Sequence, residues 1–288
     1  THTHTHTHTH THSLTQPHNK RTNTHNNTPH TDHTVNDTTM SCIGIDIGYQ
    51  NAVIAIARRG GIDVLDNEVS KRSTAAMVGF HNKERKIGEA AYSAITSNIK
   101  NTVVGIKTLL GKKYHSQVVQ QELPKIAYAV EEQGSGRVGV SVNYNGEPTV
   151  ISPERIYGML LKSMQKLAER DQGAAVVDVV LSVPAYYTDA ERHAVLAAAT
   201  IIGLNVLRLI NDTTAAALSY GIYKTDMPAD KTTNVVFVDV GAQDTTVSVV
   251  AFVKGKLTVL ATTCDRALGG RDFDEVLARH FAAEWKAK

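Results

Sequence analysis

The sequence is poor in cysteine, has no long apolar run and carries almost no excess charge. Cys42 and Cys264 are the only cysteines in 288 residues, which excludes a disulfide framework and fits a reducing compartment. No stretch approaches the roughly 18 apolar residues of a membrane helix. The 30 basic and 28 acidic residues nearly balance, which argues against a chain that coats nucleic acid or an anionic membrane.

The first forty residues also lack apolar side chains almost completely. Residues 1–12 repeat Thr-His six times, and residues 13–39 continue with Thr, Asn, His and Asp. Such a segment cannot bury enough surface to offset its chain entropy, so we predict a disordered Thr/His-rich leader over residues 1–40. A histidine metal tract is one interpretation. A translated A–C dinucleotide repeat, with Met40 as the native start, explains the pattern better because the codons ACA and CAC alternate Thr with His.

The body of the chain contains one pattern twice. An apolar run ends in Asp at Ile43–Asp46 and again at Val235–Asp239, and a glycine follows at Gly48 and at Gly241. Further apolar runs come after both glycines, as in hairpins. A duplicated β-hairpin unit separated by helices indicates two similar lobes that face each other.

The segment between the two hairpins alternates strand and helix patterns. Apolar runs covered on both faces are typical of central strands in α/β sheets, and cap residues mark the helix starts. The predicted elements are a helix opened by Ser152 and Pro153, a buried strand Val176–Val183, a helix that starts with the capping box Thr188–Glu191, a buried strand Val206–Ile210 and an Ala-rich helix from Thr213 that stops at Gly221.

Two such turns could clamp the phosphates of one nucleotide from both sides. A tight turn points backbone N–H groups at an anion, and glycine permits the close approach. Asp46 and Asp239 would place a carboxylate beside each turn, where Mg²⁺ is commonly held through its waters. The pattern alone leaves open that both are simple hairpin turns with a solvated Asp. Taken singly, Lys107, Asp212 and Pro184 are better explained as a solvated helix lysine, a helix cap and a strand-ending turn.

Together these motifs resemble the ATPase domain of the heat-shock protein 70 superfamily, which has an actin-like (ribonuclease H-like) α/β fold of two lobes. The resemblance covers essentially all of residues 41–288, in the family's order. It implies a first lobe over residues 41–231 and a second lobe over residues 232–288 that is incomplete. The matching segments are two phosphate loops (Gly44–Gly48 and Val238–Gly241), a lysine segment (Asn98–Lys107), a proline–arginine segment (Val183–Arg192), a long signature (Gly203–Ala217) and a Gly-Gly segment (Leu268–Asp274).

Two groups of residues are similar to the large 110-type branch of this superfamily rather than to the foldase chaperones. Tyr49 and Gln50 stand where the foldases carry two threonines, and the large branch has an aromatic residue and Gln there. In the second phosphate loop, the foldases carry a run of glycines followed by Thr. Here Gly241 is followed by Ala242, Gln243 and Asp244.

The resemblance implies a role for each matching residue. Asp46 and Asp239 would surround a hydrated Mg²⁺, with Asp212 in place of a glutamate of the foldases' magnesium shell. Lys107 would approach the terminal phosphate and the attacking water, so Lys107, Asp212 and Asp239 are the catalytic set if hydrolysis is retained. The implied contacts to ATP or ADP come from Asp46, Gly48, Tyr49, Gln50, Lys107, Asp239, Gly241, Ala242, Gln243 and Asp244.

The departures from the family pattern concern hydrolysis more than binding. Tyr49 and Gln50 lack the threonine hydroxyls that could bind phosphate or water. Asp244 adds a carboxylate that would repel a γ-phosphate, and Thr246 replaces an Asp near the magnesium. Loss of one positioned donor can raise a barrier by about 2.7–4 kcal/mol. We therefore expect at most a weak ATPase.

The implied function is that of a co-chaperone in the cytoplasm or nucleus. The large branch binds ATP, acts as nucleotide exchange factor for a foldase heat-shock protein 70, and holds unfolded client polypeptides through C-terminal domains. Pro184 and Arg192 match a pair that links nucleotide state to the substrate domain. The broken catalytic positions disfavour the alternative, a foldase-type ATP-hydrolysing chaperone. The proline–arginine and Gly-Gly segments disfavour a sugar kinase of the same fold.

Overall fold

The computed structural model describes residues 42–58, 61–224 and 231–288, so the predicted leader lies outside the described residues. We use "first lobe" for residues 42–224 and "second lobe" for residues 231–288. The strands are β1 (Ile43–Ile47), β2 (Asn51–Arg58), β3 (Gly61–Val64), β4 (Thr74–Ala75), β5 (Met77–Phe80), β6 (Arg85–Ile87), β7 (Thr102–Val104), β8 (Ala129–Gln133), β9 (Arg137–Tyr144), β10 (Glu147–Ile151), β11 (Asp178–Val183), β12 (Asn205–Asn211), β13 (Thr233–Val240), β14 (Thr245–Val253) and β15 (Lys256–Asp265). The α-helices are α1 (Glu89–Ala94), α2 (Gln117–Glu122), α3 (Pro153–Gln172), α4 (Asp189–Ile201), α5 (Asp212–Tyr223) and α6 (Gly270–Ala287).

The first lobe is organised around a six-stranded sheet with the order β12-β11-β1-β2-β3, in which β4 also pairs with β2. β1 runs parallel to β11 and antiparallel to β2, and β11 runs parallel to β12. Two smaller sheets, β6-β5-β7 and β10-β9-β8, complete this lobe. Parallel strands that need crossover connections are typical of α/β folds, so the predicted fold class is confirmed.

Helix α3 supplies the largest helical part of the core. The Ser152 hydroxyl caps it by accepting a hydrogen bond from the Arg155 N–H at 3.4 Å, and Pro153 occupies its first turn. The helix ends at Gly173, which has a φ of 67° that favours glycine. Its predicted apolar stripe is buried in the same core as β1 and β11, and consists of Ile156, Leu160, Met164 and Leu167.

The other predicted strands and helices of the first lobe are also present, but the prediction that Val206–Ile210 is buried is wrong. β12 lies at the edge of the sheet, so Leu207 is more than half exposed and the strand has no fully buried residue. Val179, Leu181 and Val183 of β11 are buried, because the strand lies between β1 and β12 in the sheet. Thr188 and Glu191 form the predicted capping box at the start of α4.

Helix α5 departs from its prediction and joins the two lobes. It continues through Gly221 to Tyr223, so the predicted stop at Gly221 is wrong. A Cβ atom at Gly221 would lie 3.1 Å from the ring of Phe252, which shows that this glycine permits close packing on β14. Ala217 of the same helix is buried with Val250 and Phe252.

The second lobe consists of the antiparallel sheet β13-β14-β15 and helix α6. Its hairpin repeats the first one. The Gly48 N–H donates to the Asn51 carbonyl at 2.7 Å, and the Gly241 N–H donates to the Asp244 carbonyl at 2.9 Å. No helix in the described ranges is long and apolar enough to span a membrane. Helix α6 carries five large apolar side chains that are more than half exposed: Phe273, Val276, Leu277, Phe281 and Trp285.

Candidate functional site

The two turns face each other across a cavity of about 460 Å³ between the lobes. The first turn contributes Gly48 to Asn51, and the second contributes Gly241 to Asp244. Every residue that the sequence analysis assigned to nucleotide binding lines this one cavity, and so does Pro184: the full set is Asp46, Gly48, Tyr49, Gln50, Lys107, Pro184, Asp212, Asp239, Gly241, Ala242, Gln243 and Asp244.

Close backbone packing explains the glycines around both turns. A Cβ atom at Gly48 would lie 2.9 Å from the Asn51 carbonyl oxygen. A Cβ atom at Gly269 would lie 2.5 Å from backbone atoms of Gln243. The Gly-Gly segment therefore fits directly against the second turn, where the Gly270 N–H donates to the Gly241 carbonyl at 2.9 Å. This contact fixes the start of α6 relative to the cavity wall.

Three carboxylates share the floor of the cavity with one lysine. Asp46 lies next to the end of β1 and accepts a hydrogen bond from the Ser182 hydroxyl at 2.5 Å. Asp212 begins α5, and its Oδ1 is buried without a hydrogen-bond partner among the described residues. Burial raises the pKa of Asp212 to about 6, with Asp46 adding to the rise and Lys107 opposing it. The pKa of Asp239 is also raised by burial, and further by Asp244 and Asp46.

The cavity floor therefore has more carboxylates, Asp46, Asp212 and Asp239, than positive side chains, because Lys107 is the one lysine beside them among the described residues. A bound cation would offset their mutual repulsion and satisfy the unpartnered Asp212 oxygen. Within the described ranges, no three side chains converge closely enough to chelate a metal directly. The donor set therefore fits a hydrated Mg²⁺, whose waters reach the carboxylates and whose remaining positions can take phosphate oxygens.

The segment that carries Lys107 is fixed to the proline–arginine segment. The Tyr187 hydroxyl donates to the Lys107 carbonyl at 2.9 Å. Lys112 forms an ion pair with the buried Glu191 carboxylate, and a Cβ atom at Gly111 would lie 2.5 Å from the Ala190 carbonyl oxygen. The segment around Lys107 is thus held in place by contacts with Tyr187 and with the first turn of α4.

Arg192 lies outside the cavity lining, although the resemblance pairs it with Pro184. Its guanidinium donates to the Tyr187 carbonyl at 3.1 Å and to the Asn211 side chain at 2.8 Å. These contacts join the start of α4 to the end of β12. Arg192 also donates to the carbonyl of Ala185, which follows Pro184, at 3.5 Å, and it does not line the cavity itself.

Tyr49 lines the cavity, but its side chain extends to the second lobe. Its hydroxyl donates to Glu122 at 3.2 Å and accepts from Arg271 at 2.9 Å. Arg271 binds both carboxylate oxygens of Glu122, at 2.6 and 2.8 Å, and its guanidinium carbon lies 4.8 Å from the centre of the Tyr49 ring. We call Tyr49, Glu122 and Arg271 the interlobe latch. The sequence analysis quoted Arg271 within the Gly-Gly segment and did not recognise its partner.

Arg266 is a charged cavity residue that the sequence analysis also missed. It follows β15 and lines the cavity from the second lobe. Its Nη2 donates to the Tyr186 carbonyl at 2.6 Å, and its guanidinium carbon lies 4.2 Å from the centre of the Tyr186 ring. The preceding and following residues gave no motif that could have identified it.

Comparison with known proteins agrees with this geometry. The Hsp70 protein family matches residues 42–288. Heat shock 70 kDa protein 4 from Homo sapiens is 48% identical over 251 residues, which cover 86% of this chain and 30% of that protein. The 97 kDa heat shock protein from Strongylocentrotus purpuratus is 47% identical over 251 residues and is covered to 28%. Heat shock 70 kDa protein 14 from Arabidopsis thaliana is 44% identical over 247 residues.

The chain thus spans 28–30% of the length of these relatives, and the family match includes all of its described residues. The actin-like fold and the resemblance to the large branch are both confirmed. This chain belongs to the heat-shock protein 70 family, in its 110-type branch.

Proposed function

We propose that this chain binds Mg²⁺ with ATP or ADP between its two turns, as part of a chaperone that acts as nucleotide exchange factor and holdase for a foldase heat-shock protein 70. The observation that carries the proposal is the convergence of both turns, Lys107 and three aspartates on one cavity. Asp46 and Asp239 would hold Mg²⁺ through its waters, and the metal would neutralise phosphate charge. Lys107 would bind the terminal phosphate.

The arrangement supports nucleotide binding better than rapid hydrolysis. Phosphoryl transfer depends on positioned donors and on positive charge around the terminal phosphate. The Tyr49 hydroxyl is engaged in the interlobe latch, and Asp244 presents a carboxylate at the second turn. A nucleotide that stabilises one arrangement of the lobes can still create a binding surface for a partner, without being hydrolysed. Cytoplasmic or nuclear foldases and unfolded clients are the partners that this function requires.

Nucleotide binding can be tested by thermal and denaturant unfolding with and without Mg·ATP or Mg·ADP. At a free concentration of 100 times Kd, a ligand that binds only the native state raises the free energy of unfolding by about 2.7 kcal/mol. We expect this increase for the wild-type chain and for Lys166→Ala, an exposed residue of α3. We expect Lys107→Ala to lose most of it. A folded wild-type chain that neither nucleotide stabilises at millimolar concentration would contradict the proposal.

The exchange function is measured on a foldase preloaded with fluorescent ADP. Addition of the protein with Mg·ATP should accelerate loss of the fluorescent nucleotide, and Lys107→Ala should weaken this effect. A single-turnover hydrolysis rate equal to that of the foldase, with no acceleration of exchange, would support the foldase-type alternative instead.

A further inference from the structure

The charges that line the cavity do not balance at the second turn. Asp46, Asp212, Asp239, Asp244 and Glu191 supply five carboxylates, whereas Lys107, Lys112 and Arg266 supply three cations. Lys112 is committed to Glu191. The positive charge of Lys107 already interacts with Asp212 and Asp239, because it opposes the rise in the pKa of both carboxylates. Among the described residues that line the cavity, Arg266 is the cation that remains for Asp244 and for a ligand beside it.

We propose that Arg266 binds the terminal phosphate of the nucleotide and makes the cavity prefer ATP to ADP. This inference rests on the proposed nucleotide binding and adds a phosphate ligand that neither turn nor the lysine segment supplies. It also bears on the charge problem at Asp244, because a guanidinium that lines the same cavity reduces the repulsion between that carboxylate and a phosphate.

The position of Arg266 is set by its own loop. The Ala267 N–H donates to the Asp265 side chain at 2.9 Å, and the Thr245 hydroxyl donates to the Leu268 carbonyl at 2.7 Å. These bonds tie the loop between β15 and α6 to the start of β14, directly beside the second turn. The Arg266 side chain is partly buried and crosses from the second lobe to Tyr186 of the first.

The contacts of Arg266 leave donors for a ligand. A guanidinium carries five N–H donors in one plane. One nitrogen is used by the Tyr186 carbonyl, and the face of the group is covered by the Tyr186 ring. No carboxylate among the described residues forms an ion pair with Arg266. The free edge is the part that binds two phosphate oxygens at once.

Arg266 and Asp244 have opposite effects on the pKa of the same side chain, Tyr186. The pKa of the Tyr186 hydroxyl is raised by burial and by the Asp244 carboxylate, and Arg266 opposes the rise. The Arg266 guanidinium lies over the Tyr186 ring, and Asp244 and Pro184 line the same cavity. A phosphate placed at the second turn would lie within the field of this arginine.

The test compares dissociation constants for Mg·ATP and Mg·ADP by isothermal titration. We expect Arg266→Ala to weaken ATP binding about tenfold or more while ADP binding changes little, since a hydrogen bond to a charged group contributes about 1.5–3 kcal/mol. Arg266→Lys should keep part of the preference, because it retains charge but not the planar fork. Arg279→Ala, an exposed arginine of α6, is the matched control and should change neither constant.

A second variant separates direct binding from charge compensation. Adding Asp244→Asn to Arg266→Ala should restore part of the ATP affinity, because the uncompensated carboxylate is removed. If both single and double variants fold but lower the ATP and ADP affinities equally, or leave both unchanged, Arg266 only connects the lobes and the inference is overturned while nucleotide binding stands. A wild-type chain that binds neither nucleotide overturns the proposed function and this inference together.

Discussion

Asp212 begins α5 and lines the cavity, and its burial makes the stability of the chain depend on pH. Its pKa is raised from an ordinary value of 3.8 to about 6, chiefly because burial penalises the charged form. A folded-state pKa above the unfolded one contributes stability that is fully present below about pH 4. That contribution is lost as the pH rises through about 6.

Replacing Asp212 by Asn removes this titration. We expect the free energy of unfolding of Asp212→Asn, relative to wild type, to increase between about pH 4 and pH 6.5. The increase should approach about 3 kcal/mol, the value of a shift of roughly two pKa units. Urea unfolding across that range, without Mg²⁺ or nucleotide, provides the measurement, with the exposed Asp274→Asn as control. A difference that stays constant with pH would mean that the Asp212 carboxylate is solvated in the folded chain.

Single residues also show where sequence reasoning stopped. Asp46, Asp239 and their glycines were predictable because each lies within a few positions of the turn that it serves. The direction of the Tyr49 side chain was not predictable, since it is set by Arg271, 222 positions away. Arg266 was missed for the same reason, because the residue that orients it, Tyr186, is 80 positions away in the other lobe.

At the scale of elements, the interlobe latch joins α2 of the first lobe to α6 of the second. Arg271 and Glu122 have only 14% and 5% of their side chains exposed, and Lys125 adds an outer ion pair to Asp272 at 2.9 Å. A buried carboxylate that loses its partner is strongly destabilising, typically by about 3–5 kcal/mol. The latch should therefore dominate the polar contribution to contact between the lobes.

Arg271→Ala should lower the free energy of unfolding by about 3 kcal/mol or more, because Glu122 is left buried and charged. Arg279→Ala removes an exposed pair with Glu275 on the same helix and should cost no more than about 0.5 kcal/mol. Equilibrium denaturation of both variants makes the comparison. The double variant Arg271→Ala, Glu122→Ala should be less unstable than Arg271→Ala alone. Equal effects of Arg271→Ala and Arg279→Ala would refute the latch.

Element boundaries were predictable where local chemistry decides them. The Ser152 cap of α3 and the capping box of α4 are formed by residues three positions apart, so the sequence contains all of the information. The predicted helix end at Gly221 was wrong because glycine often marks the end of a helix. Here the helix continues, and the glycine leaves room for the ring of Phe252 from β14. Packing between distant segments overrode the local signal.

At the scale of the whole molecule, helix α6 and strand β13 both carry large apolar side chains that are exposed to solvent. Val236, Val238 and Val240 of β13 are each more than half exposed, in addition to the five apolar side chains of α6. Exposed apolar side chains of this kind promote association in water. The duplicated hairpins and the two-lobed plan were predictable from the repeated pattern. This exposed surface was not, because it depends on which faces the other elements cover.

We expect the chain to self-associate at micromolar concentration through the apolar stripe of α6. Leu277→Ser combined with Phe281→Ser should shift the chain toward monomer, because burial of those side chains drives the contact. Arg279→Ser, on the same helix, should leave association unchanged. Sedimentation velocity over a concentration series distinguishes these outcomes, and a wild-type chain that stays monomeric throughout would contradict the expectation.

The parallel pairing of β1 with β11 has a consequence for synthesis of the chain. β1 ends at Ile47 and its partner begins at Asp178, so one edge of β1 stays unpaired while the intervening residues are translated. At roughly 5–20 residues per second, this interval lasts about 7–26 s. An apolar strand with an open edge is an aggregation hazard during such a delay. During that interval the nascent chain therefore exposes an open strand edge of the kind that chaperones shield in other proteins.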